Sequence, residues 1–176
     1  MSRKLHIGGI DPAPGWEILN ALAGPHVDHC GDAHDLSRFS DNTFAEIYAS
    51  HVLEHFSYQV KLDKAIGEWY RVLEPGGRLY VSVPDLDILA RFLLMKDELT
   101  VDQRFHVMRM IFGGQENEYD YHYVGLNQAF LGQFLWRAGF VNLKRVPEFG
   151  IFNDASSIRF GGVLISLNVV AEKWAS

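Results

Sequence analysis

The chain has 176 residues, 48% of them hydrophobic, with a formal charge of −6. This predicts one buried core in one domain spanning residues 1–176, and the acidic balance argues against a broad nucleic-acid surface. There is no run of about 18 uncharged apolar residues, MSRKLHIGG lacks the apolar core of a secretory signal, and Cys30 stands alone, so a soluble cytoplasmic protein with no membrane partner and no disulfide is expected.

In chain order, KLHIG predicts a first strand that breaks at Gly8 and Gly9, and a second apolar run begins within a few residues at WEILN. AEIYAS and RLYVSVP are further short strands. Between them Leu62, Ala65, Ile66, Trp69, Tyr70 and Leu73 recur at helical spacing until Pro75, Gly76 and Gly77 stop them. A strand, helix, strand unit implies parallel strands and an α/β domain. DLDILARFLLMKDE, VDQRFHVMRMIF and NQAFLGQFLWRAGF read as helices, the last ended by Gly139. NLKRVPEF and GVLISLNVVAEKW suit an antiparallel strand pair at one edge, where Lys144 and Arg145 read as a solvated strand end. GGQENEYDYHYVG is the expected mobile loop.

A glycine turn after the first strand of such a sheet lies at the carboxyl edge, where ligands bind. Here Gly8 and Gly9 run into Asp11, Pro12 and Pro14, which is not the G-x-G-x-x-G of a dinucleotide site, and no phosphate-binding G-x-x-x-x-G-K-[ST] is present. From these residues alone, a ligand cradle and a plain tight turn both stand.

Four segments in serial order resemble the class I S-adenosylmethionine-dependent methyltransferases, specifically the small subgroup related to the methyltransferase type 11 domain. LHIGGIDPAPGWEILN is similar to its first motif and second strand, and GDAHDL to its acidic third motif. DNTFAEIYASHVLEHF is similar to its fourth strand and following helix, and WYRVLEPGGRLYVSVPDLD to its next helix, turn and fifth strand. The resemblance implies a Rossmann-like, mostly parallel sheet with an antiparallel C-terminal strand pair. From Gly8 to the second strand there are too few residues for a crossover helix, so the first helix is expected to be missing or reduced to a turn.

The resemblance further implies S-adenosyl-L-methionine as cofactor, with Gly8, Gly9 and Ile10 against its methionyl portion. Asn20 stands where the family places an acid for the ribose hydroxyls, so Asn20→Asp is expected to tighten binding by about fivefold. Asp32 and Ala33 match the positions that face adenine, and Ser50 and His51 those near the methionyl end and the sulfonium. His51, Glu54 and His55 are expected within one helical turn, and His51, Glu54 and His122 are the candidate catalytic groups, with Tyr119, Tyr121 and Tyr123 as lining for an acceptor slot. The acceptor implied is a small molecule or saccharide, and a homo-oligomer is left open.

Two other readings stand beside this one. A noncatalytic binding protein of the same fold would keep the motifs without turnover. HVLEH also matches the H-x-x-E-H pattern of zinc hydrolases, in which His51 and His55 share a helix face. The methyltransferase resemblance accounts for the whole run EIYASHVLEHF, so no metal is expected.

Overall fold

The computed structural model describes residues 2–175. Its sheet is built from β1 (Lys4–Ile7), β2 (Trp16–Asn20), β3 (His29–Cys30), β4 (Phe44–Ser50), β5 (Leu73–Pro84), β6 (Phe140–Val146) and β9 (Ser166–Lys173), in the spatial order β3-β2-β1-β4-β5-β9-β6. All pairings from β3 to β5 are parallel, whereas β9 runs antiparallel to both β5 and β6. A short hairpin of β7 (Arg159–Phe160) and β8 (Val163–Leu164) stands apart. As expected, the two C-terminal strands form an antiparallel pair at one edge: β9 lies beside β5, in keeping with its near-continuous burial from Ser166 to Val169, and β6 is the outermost strand with Asn142–Arg145 exposed. Arg145 at that edge pairs with the buried Asp85 carboxylate at 2.8 Å.

Alternation sends Leu5, Ile7, Leu19, Ile47, Ala49, Leu79, Val81, Val83, Leu167 and Val169 to one face, where they meet α1 (Lys61–Val72) and α4 (Gln128–Arg137). The buried stripe of α1, with Leu62, Ala65, Ile66, Trp69 and Val72, follows the spacing read from the sequence. Helix α2 (Leu86–Leu94) is capped by Asp85, and α3 (Val101–Phe112) opens on a Thr100/Gln103 capping box. They enclose a smaller cluster of Leu89, Val107 and Ile165. No helix among the described residues is long and apolar enough to cross a membrane.

No helix joins β1 to β2, β2 to β3 or β3 to β4. The opposite sheet face, where His6, Tyr48 and Tyr80 stand side by side in register, is therefore covered by the irregular segment after β6. Phe152 lies on His6 at 4.0 Å and on Tyr48 at 4.7 Å, and Phe149 packs edge-on to Tyr48 and Tyr80. The Tyr48 hydroxyl anchors this strap by donating to the Asp154 carboxylate at 2.7 Å.

Candidate functional site

A cavity of about 640 Å³ opens at the carboxyl ends of the parallel strands. Gly8 follows β1, Asn20 ends β2, Asp32 and Ala33 follow β3, and His51 follows β4; all five line it. His55, Phe56, Lys61, Glu118, Tyr119 and Tyr123 complete much of the wall. Gly9, Ile10, Ser50, Glu54, His122 and Tyr121 are not on the lining.

The two glycines do different work. Gly8 sits at φ +77°, where L side chains are strained, donates its N–H to the Leu19 carbonyl at 2.8 Å, and lets the Val52 side chain approach so closely that a Cβ would come 2.7 Å from Val52 Cγ2. Gly9 is buried, and a Cβ there would collide with the His6 ring, so its bareness lets His6 pack. Ile10 is 71% exposed. Asn20 spans the gap left by the absent helix: its Nδ2 donates to the Gly9 carbonyl at 3.0 Å and its Oδ1 accepts from the Leu22 amide at 3.0 Å.

On the far wall, Asp32 Oδ1 accepts from the His34 amide at 3.2 Å and contacts the His34 ring, leaving the half-exposed carboxylate its second oxygen. The Ala33 carbonyl accepts from the buried Trp69 indole at 2.8 Å, so helix α1 holds this loop against the cavity.

His51 differs from its expected setting. It has φ +55° and lies outside the short 3-10 turn Leu53–His55, so His51 and His55 do not share a helix face and the zinc-hydrolase geometry of HVLEH is not formed. The left-handed backbone turns the chain directly after β4. His51 Nε2 lies 3.0 Å from Ser166 Oγ, whose single proton goes to the Ala155 carbonyl at 2.8 Å. Ser166 therefore accepts, His51 carries its proton on Nε2, and Nδ1 keeps a lone pair. Burial, reinforced by His122 and His55, holds the His51 imidazole down at about 4, so it is neutral near pH 7.

Glu54 is fully buried behind His51, with Oε1 3.4 Å from His51 Nδ1, too far for a good hydrogen bond, and neither carboxyl oxygen has a hydrogen-bond partner. Burial pushes its carboxyl up to about 8. The 113–125 loop is pinned to this turn: the Tyr123 amide donates to the Glu54 carbonyl at 2.8 Å, and His55 Nδ1 donates to the Tyr121 carbonyl at 3.1 Å. This brings the His122 ring to 4.9 Å from His55. Ser50 keeps a buried, unpartnered hydroxyl beneath the site.

Residues 2–81 match the methyltransferase domain family. No curated protein matches the sequence. The fold is shared with a S-adenosylmethionine-dependent methyltransferase from Archaeoglobus fulgidus, at 13% identity and TM-score 0.61 over 98% of this chain and 86% of that one. It is also shared with the 1,6-didemethyltoxoflavin-N1-methyltransferase of Burkholderia thailandensis, whose structure holds S-adenosylhomocysteine, at 14% identity and TM-score 0.59 over 98% and 72%. A protein from Bordetella parapertussis matches 99% of this chain at 13% identity and TM-score 0.60, and the chain spans 62% of its length. The first half of the chain thus matches a methyltransferase domain, and the whole chain has the fold of S-adenosylmethionine-dependent methyltransferases.

The cavity suits S-adenosylmethionine, the cofactor of these fold relatives. Its volume is that of a small-molecule site, Gly8 brings bare backbone to its lining, and its far wall offers a carboxylate oxygen for amino or hydroxyl donors. Ser166 and Trp69 had no signal in the sequence, since they act on His51 and Ala33 from 115 and 36 residues away.

Proposed function

We propose that the chain transfers a methyl group from S-adenosylmethionine to a small-molecule or saccharide-type acceptor. The observation that carries this reading is the gathering of Gly8, Asn20, Asp32, Ala33 and His51 around one cavity at the strand ends. Gly8 would underlie the methionyl portion, Asn20 the ribose, and Asp32 with the Ala33 amide the adenine. When bound, the cofactor supplies a methyl group made electrophilic by the sulfonium. The chain's own contribution is to align an acceptor, exclude water and remove a proton. His51, neutral and with its lone pair fixed on Nδ1, is the base this geometry offers, and Tyr119 and Tyr123 border the acceptor end. Glu54 and His122 stand behind that end, beside His51 and His55, without lining the cavity.

A noncatalytic cofactor-binding protein is the second reading, favoured by the missing crossover helix and by the engagement of the Asn20 amide at both ends. Calorimetry with S-adenosylmethionine and S-adenosylhomocysteine separates these readings from a structural turn, which would bind neither. Labelled methyl transfer to a panel of hydroxylated and amino acceptors then separates enzyme from binder.

A further inference from the structure

We propose that Glu54, His55 and His122 form a binding site for one divalent transition-metal ion just behind the cavity wall, which His55 reaches. One oxygen or nitrogen from each lies within 4.8 Å of the other two. Ligands on a common ion at about 2.1 Å stand roughly 3.0 to 3.5 Å apart, so closure needs a shift of about an ångström.

The carboxylate is the strongest sign. Both oxygens of Glu54 are buried without a hydrogen-bond partner, an arrangement that costs stability unless a cation or donor meets them. Among the described residues no Lys or Arg pairs with Glu54, whose nearest basic neighbour is the neutral His51 ring at 3.4 Å. His55 is already set as a ligand. Its Nδ1–H is spent on the Tyr121 carbonyl, which fixes the tautomer and leaves the Nε2 lone pair free, the support that ligating histidines receive from backbone carbonyls. His122 is delivered by the loop that the Tyr123 amide ties to the Glu54 carbonyl. Two imidazoles and one carboxylate select Zn²⁺, Mn²⁺, Fe²⁺ or Co²⁺ over Mg²⁺ and Ca²⁺, which prefer all-oxygen shells.

This trio differs from the H-x-x-E-H set, because His51 is engaged by Ser166 and His122 takes its place. Three protein ligands leave coordination positions open, and His55 lines the cavity. On the methyltransferase reading, on which this role alone rests, an acceptor oxygen fills an open position and loses its proton more readily.

Cobalt(II) chloride is the probe. Titrated into the metal-free wild-type protein, it should give visible ligand-field bands that saturate at one equivalent, and Glu54→Gln and His122→Ala should each weaken binding at least tenfold while melting within a few degrees of wild type. Absence of saturable bands from wild type, or unchanged binding in both variants, overturns the site. If a variant fails to fold, the wild-type stoichiometry and its displacement by Zn²⁺ decide alone. Calorimetry with S-adenosylhomocysteine on metal-free wild type reads the cofactor site separately, so cobalt binding without it would remove the methyltransferase reading and leave the metal site standing.

Discussion

Asn20 reaches across from the end of β2 to the Gly9 carbonyl, with Nδ2 to O at 3.0 Å, while its Oδ1 receives the Leu22 amide. An acid at this position could keep the second bond but not the first. The loop from Gly8 to Gly15 has no helix of its own, and a donor at position 20 is one of the few groups that tether it.

The hydrogen bonding therefore reverses the order expected from the family pattern. Asn20→Asp should place a carboxylate against a carbonyl oxygen, lose a bond worth about 1 kcal/mol, and weaken S-adenosylhomocysteine binding about fivefold rather than tighten it. Asn20→Ala should weaken it at least as much. Calorimetry across the three forms checks this; tighter binding by the aspartate would mean that position 20 serves the ribose before it serves the loop.

Gly9→Ala should cost stability before it costs binding. The added Cβ would press on the His6 ring, which is fixed between Phe152 and Tyr48, and overpacking of this kind costs about 1 to 3 kcal/mol. Urea unfolding should show a lower midpoint at unchanged slope. A double variant with His6→Ala should recover part of the loss.

His6 gives the fold an acid-side weakness. Burial holds its imidazole down at about 4 against an unfolded value of 6.5, partly offset by Asp154 and Asp11. Between those values the unfolded chain takes up a proton that the folded chain refuses, so this contribution is complete above pH 6.5 and declines as pH falls toward 4, by about 3 kcal/mol. His6→Phe should flatten the stability profile between pH 7 and pH 4.5. A profile as steep as wild type would assign the slope to other groups, His51 first among them.

Trp69→Phe keeps the packing of α1 and removes the donor to the Ala33 carbonyl. A buried acceptor left unpaired costs about 1 to 3 kcal/mol. Thermal melting should fall, and S-adenosylhomocysteine affinity should fall with it although Trp69 is not on the cavity lining. Unchanged affinity would show that the Asp32–Ala33 loop holds its place by other means.

Much of this was legible in the residues. Alternation marked β1, β4 and the second half of β5, and helical spacing marked α1 and α4, because each buries one face against the same core, and α3, which buries Val107 in the smaller cluster. The two-residue β3 carries no period long enough to read, and the docking of β9 on β5 is a pairing choice made between distant strands. Motif resemblance picked out Gly8, Asn20, Asp32, Ala33 and His51, which share the cavity. It misjudged the backbone at His51, where a left-handed residue ends the strand and leaves only one 3-10 turn of the expected helix. The partners that tune these groups lie far along the chain, where local spacing carries no information.

The strap of Phe149, Phe152 and Asp154 also dictates the timing of folding. The Tyr48 hydroxyl bond to Asp154 spans 106 residues, and β9, which completes the sheet beside β5, is the last strand of the chain. The first half, which bears the family match, therefore emerges during synthesis with His6, Tyr48 and Tyr80 facing water, and closes only when the final segments arrive. Such late, long-range closure slows folding and exposes an aromatic sheet face in the interval, so a chain cut before Pro147 should associate through that face rather than persist as a smaller folded unit.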